Sequence, residues 1–127
     1  MATTLFPVTT AEAPQAIGPY SQAVRAGNVL FVSGQIPLPS DGGPMPESFA
    51  DQARQALANV AAIVRAAGAD LSSVAKVNVY LVDLGQFQFF NEIYAQVFGE
   101  HRPARAVVQV AALPRGAQVE VEAVAVL

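Results

Sequence analysis

The chain predicts an α+β fold: two segments carry apolar residues at helical spacing, β-branched segments with two-residue alternation stand before, between and after them, and no linker divides the whole. Its 127 residues suit one ordinary domain, expected to span 1–127. The predicted order is ββαβαββ. Strand pairs separated by helices put both helices on one face of a mixed sheet, leaving a bare face that needs a partner.

The segment Ala11–Ser21 contains Pro14, Gly18 and Pro19 and is expected as an ordered loop or arm, with the first regular element after it. Gln22–Ala26 and Val29–Ser33 flank the turn dipeptide Gly27-Asn28 and read as a hairpin. Pro37–Pro46 has four prolines and Asp41-Gly42-Gly43, which predict an exposed loop free to move. From Ser48, an N-cap candidate, Phe49, Ala53, Leu57, Val60, Val64 and Ala67 recur on one helical face. Asp51, Gln55, Asn59 and Arg65 fall on the other, and Gly68 supplies a left-handed stop. Val74–Val82 alternates as a strand. A second helix runs from Gly85 or Gln86 to Phe98, with Phe87, Phe90, Asn91, Tyr94 and Phe98 on one side and Gly99 ending it. Ala106–Val110 and Gln118–Val126 are the last strands, joined by a turn at Leu113–Gly116.

Composition narrows the function. Apolar residues make up 53% and charged ones 13%, against roughly 25% charged in typical soluble domains. Too few charges remain to coat a monomer, and no apolar run is long enough to cross a bilayer as a helix, so the excess points to subunit contacts. A net charge of −3 without a basic cluster argues against nucleic acid as partner. With no Cys and one His, disulfides, thiolate chemistry and Cys-ligated metals are excluded, leaving at most a carboxylate-only Mg²⁺ site. No signal-like segment opens the chain, so a cytoplasmic location is expected. Phosphate loops, a nucleophile elbow and a His-Glu-x-x-His zinc motif are absent. His101, the lone imidazole, reads as solvated surface.

Three segments stand out: Ile17-Gly18-Pro19-Tyr20-Ser21-Gln22, Val32-Ser33-Gly34-Gln35-Ile36-Pro37, and Arg102-Pro103-Ala104-Arg105 leading to Val119-Glu120-Val121-Glu122. In this order and spacing, and together with Asn91, they make the chain resemble the RidA/YjgF family over nearly its full length. The resemblance implies a chorismate-mutase-like α+β fold and a homotrimer, its sheets lining a central barrel, its helices outside, with clefts between subunits. It also implies hydrolysis of 2-imino acids and their enamines, such as 2-aminoacrylate, 2-iminopropanoate and 2-iminobutanoate, to 2-oxo acids and ammonia, with no cofactor or metal and no membrane or nucleic-acid partner.

Such a substrate needs its carboxylate fixed and a water placed about 3 Å from its C2. Arg105 offers a planar, permanently charged fork for the carboxylate; a surface salt bridge is the plainer reading. Glu120, on the strand face opposite the apolar residues, is placed in the cleft by the resemblance and is the candidate to position or deprotonate the water, against a solvated strand carboxylate. Ser33 and Gly34 either bond the water or substrate or cap their strand. Tyr20 closes the pocket or packs in an interface. Asn91, polar among aromatics, is a cleft ligand or a structural tie. The sequence departs from the family pattern at Ala106, where a hydroxyl residue is usual, and at Val107, where Cys is frequent; at Val107 a role for the backbone N–H tolerates the change, whereas a required thiol would abolish activity. The alternative function is a carboxylate-sensing or protein-binding trimer without turnover.

Overall fold

A computed structural model describes residues 4–127. Six strands form one mixed sheet in the order β1-β2-β3-β6-β4-β5: β1 (Leu5–Val8), β2 (Ala23–Ala26), β3 (Val29–Gln35), β4 (Val74–Leu81), β5 (Ala104–Gln109) and β6 (Val119–Val126). All neighbours are antiparallel except β4 and β5, which run parallel because helix α2 (Phe87–Phe98) carries the chain back between them. Helix α1 (Phe49–Ala66) links β3 to β4 and leaves a gap that the last strand, β6, fills.

The alternation read from the sequence sets the two faces. Val119, Val121, Ala123 and Ala125 of β6 are buried with Val77, Val79 and Leu81 of β4 and with Leu30 and Val32 of β3, under both helices. Glu120, Glu122, Val124 and Val126 face the other way, beside Phe31, Lys76, Asn78 and Tyr80. Among the described residues no helix covers that second face, and Phe31 stands 51% exposed on it. Phe90 is wholly buried on the covered side, which contributes roughly 2–3 kcal/mol.

Helix α1 begins as its sequence dictates, with the Ser48 hydroxyl accepting from Asp51 N at 3.1 Å, and ends before Gly68 at φ 89°. Helix α2 follows a short turn at Leu84–Gln86 and stops at Gly99.

Five expectations change. Leu5–Val8 is a strand, paired with β2 from Leu5 opposite Ala26 to Val8 opposite Ala23, so a regular element precedes the Ala11–Ser21 loop. Strand β5 begins at Ala104, two residues early. Asn59 is buried, 1% exposed, and its amide donates to Ile36 O and Leu38 O. Gln52 donates to Pro46 O, so both ends of the Pro37–Pro46 loop are anchored on α1. His101 is half-buried, its Nε2 2.7 Å from Val74 O, where it ties the end of α2 to β4.

Before β6, Arg115 sits at φ 58°, ψ 22°, a left-handed conformation that costs an L-residue about 1–2 kcal/mol. Arg115→Gly is therefore expected to stabilise the fold by about 1 kcal/mol after glycine's entropy is set against the relieved strain. A urea titration reads this as a higher midpoint at unchanged slope; a lower midpoint would mean that contacts of the arginine side chain outweigh its strain.

Candidate functional site

The sequence-predicted residues fall into two hollows on opposite faces of the sheet, as strand register requires. Arg105 stands opposite Val77 and projects under the helices; Glu120 stands opposite Tyr80 and projects from the bare face. One chain therefore does not bring them together.

The first hollow, about 330 Å³, lies between α2 and the start of β5 and is lined by Asn91, Tyr94, Ala95, Arg102, Pro103 and Arg105. Arg105 is held by rings, its guanidinium carbon 4.8 Å from the centroid of Tyr94 and 5.8 Å from that of Phe87. Tyr94 in turn stacks on Phe98 at 4.5 Å. The ion pair found among the described residues, Arg54 with Asp51, is elsewhere, so Arg105 has no carboxylate partner among them. Asn91 Oδ1 and Tyr94 OH are buried without hydrogen-bond partners among the described residues. A structural tie would have satisfied Asn91 Oδ1; an unfilled acceptor beside a free cation suits a ligand. Val107, opposite Val79, packs against the core on this same face and offers no polar side-chain group.

The second hollow, about 440 Å³, is lined by Ile17, Tyr20, Ser33, Gly34, Ile36, Pro114, Glu120 and Glu122. Strict alternation would send Ser33 and Gly34 to opposite faces. A bulge prevents this: Val32 opposes Ala123 and Gln35 opposes Val121, so one extra residue lets both face the hollow. A Cβ on Gly34 would stand 2.8 Å from Glu120 Cδ, so only glycine admits the carboxylate where it lies. The Ser33 hydroxyl donates to Ser21 O at 2.6 Å and Ser33 N to Gln22 O at 2.9 Å. Ser33 thus anchors the Tyr20 segment, its proton already engaged. Tyr20 is 46% exposed at the rim, its hydroxyl accepting from Ile17 N at 3.2 Å.

The two glutamates differ. Glu122 Oε1 accepts from Tyr80 OH at 2.6 Å and Asn78 Nδ2 at 3.1 Å, and this bond pushes the Tyr80 pKa up to about 12. Glu120 accepts no such bond among the described residues; burial, and then the charge of Glu122, raise its carboxyl above the usual carboxylate range. A free carboxylate with a raised pKa is the better proton acceptor near neutrality.

Sequence reasoning named Arg105, Asn91, Val107, Tyr20, Ser33, Gly34 and Glu120 but missed three features. Tyr94 was visible only as one more aromatic at helical spacing. Gln22, 4% exposed, donates to Thr10 O, Ala13 O and Pro14 O and accepts from Thr10 N, clamping the arm that carries Tyr20. The Asn78–Tyr80–Glu122 cluster depends on register between strands forty residues apart. Among the described residues, no three metal-ligating side chains converge and no helix is long and apolar enough to cross a membrane.

A mixed sheet with both helices on one face, a ring-held arginine under one of them and a bulged strand beside a half-buried glutamate defines a YjgF-like α+β protein. The profile of the family described as Endoribonuclease L-PSP, the YjgF/RidA family, matches residues 10–127, and the chain belongs to it. It is 49% identical over 120 residues to the human protein named 2-iminobutanoate/2-iminopropanoate deaminase, covering 94% of this chain and 88% of that one. To yeast Protein HMF1 it is 44% identical over 98% of this chain and 97% of that one. The crystal structure of E. coli TdcF with bound serine superposes with TM-score 0.93 at 46% identity, covering 96% and 98% of the two chains.

Proposed function

We propose that this protein hydrolyses small 2-imino acids and their enamine tautomers to 2-oxo acids and ammonia, in a site assembled from two copies of the chain within a homotrimer. The observation that carries the reading is Arg105, held by rings and unpaired with any described carboxylate. The names of the mammalian relatives support the reaction class. Opposite-face placement of Arg105 and Glu120, and the exposure of Phe31 and Val126 on the uncovered face, support assembly.

Arg105 of one copy takes the substrate carboxylate in its fork, with Asn91 beside it. From the neighbouring copy, Glu120 orients a water and accepts its proton as oxygen bonds to C2 of the protonated imine, whose C=N electron pair moves onto nitrogen. The resulting carbinolamine collapses when Glu120 relays the hydroxyl proton to nitrogen: the C–N bond breaks, ammonia leaves and the 2-oxo acid remains. A protonated imine is already electrophilic, so orientation and a modest base suffice. Tyr20 closes the rim.

Generation of 2-aminoacrylate by a serine dehydratase, with and without the protein, tests the reaction. Faster release of ammonia and pyruvate at micromolar protein is expected; unchanged release overturns it. Gly34→Ala is expected to lower kcat by about tenfold, because the added Cβ displaces the Glu120 carboxylate, with little change in melting temperature. An unaltered kcat would remove Glu120 from the proton transfer. The engaged Ser33 hydroxyl and apolar Val107 favour the second reading, carboxylate sensing or protein binding without turnover, which pyruvate binding in the absence of acceleration would establish. Against RNA cleavage, which the family description names, stand a net charge of −3 and a sequence without a basic cluster.

A further inference from the structure

Tyr94 holds Arg105 from below, and its ring alone explains that contact. The hydroxyl is unexplained. The residue is 6% exposed, and its oxygen is buried without a partner among the described residues, as is Oδ1 of Asn91, three residues earlier on α2, which lines the same hollow. Leaving a buried hydroxyl unmatched costs roughly 1–3 kcal/mol, and phenylalanine would fill the same space without that cost.

Burial raises the Tyr94 pKa, with Arg105 and Arg102 opposing. The hydroxyl therefore keeps its proton at physiological pH and acts as a donor. Beside the guanidinium, in a hollow where no described carboxylate competes, the group that such a donor meets is the anion that Arg105 binds. Asn91 Oδ1 supplies an acceptor for a ligand N–H in the same space.

Resting on the proposed function, we infer that the Tyr94 hydroxyl is a direct substrate contact, donating to a carboxylate oxygen alongside Arg105. The carboxylate is unchanged by the chemistry at C2, so this bond forms equally in ground and transition states and governs KM rather than kcat.

Tyr94→Phe tests this, because it keeps the stack on Phe98 and the ring under Arg105 and removes only the oxygen. Expected are a melting temperature of the free protein equal to or above wild type, and pyruvate binding, read by calorimetry, weaker by about 10- to 100-fold. KM for the imine rises in parallel while kcat stays within about threefold. Unchanged pyruvate affinity overturns the contact. A fall in kcat at constant KM overturns the carboxylate assignment, and a loss of stability in the free variant shows that the hydroxyl is structural. Pyruvate binding by a wild-type protein that does not hydrolyse imines removes the catalytic reading and leaves the contact standing; failure of wild-type protein to bind pyruvate overturns both.

Discussion

Arg105→Ala is expected to lower kcat/KM for 2-aminoacrylate or its imine by about 10²- to 10³-fold, the cost of removing one partner from a desolvated charge pair. Arg105 touches Tyr94 and Phe87 and no described carboxylate, so its loss leaves no buried anion behind and the fold remains. Arg105→Lys separates charge from geometry. A lysine restores the charge but not the planar fork, and its more strongly hydrated ammonium fits the ring-lined seat poorly, so about a tenfold deficit should remain. Steady-state kinetics beside a thermal melt read both variants. Wild-type kcat/KM in Arg105→Ala would mean that the substrate is held elsewhere.

The sequence revealed Arg105 as a candidate because few residues offer a permanent planar cation, but it did not reveal which side of the sheet Arg105 faces. That depends on Val77 standing opposite it, a register between distant strands. The same limit hid β1: Leu5-Phe6-Pro7-Val8 has neither alternation nor a buried face, and it is a strand only because β2 pairs with it. Local signals sufficed where local physics decides, as with the Ser48 cap, the Gly68 stop and the apolar faces of β4 and β6. Asn59 shows the boundary. Helical spacing assigns it to the polar face of α1, and it does carry polar bonds there, but to the carbonyls of a loop that covers that face. Periodicity separates apolar from polar without saying whether water or another segment answers the polar group. The bulge at Ser33–Gly34 is a third case: two successive residues enter one hollow, which strict alternation forbids.

Glu120→Gln should reduce kcat by about 10²- to 10⁴-fold, the range for loss of a general base, with little effect on carboxylate binding because Arg105 is untouched. The same change is expected to stabilise the protein at neutral pH. Burial and Glu122 raise the folded-state pKa of Glu120, so its contribution to stability is fully present below the unfolded value, about 4.3, and is lost as pH rises through the folded value. Glutamine cannot ionise and escapes that loss, so the variant should melt above wild type at pH 7 and together with it in acid. A variant both slow and more stable is the mark of a carboxylate retained for chemistry at the expense of the fold. The two variants together test the divided site. If each site takes Arg105 from one copy and Glu120 from its neighbour, refolding equal amounts of Arg105→Ala and Glu120→Gln together gives random trimers in which about one quarter of the sites are wild type, and about that share of activity should return. A site built within one chain would return none, because every chain in the mixture lacks one of the two groups.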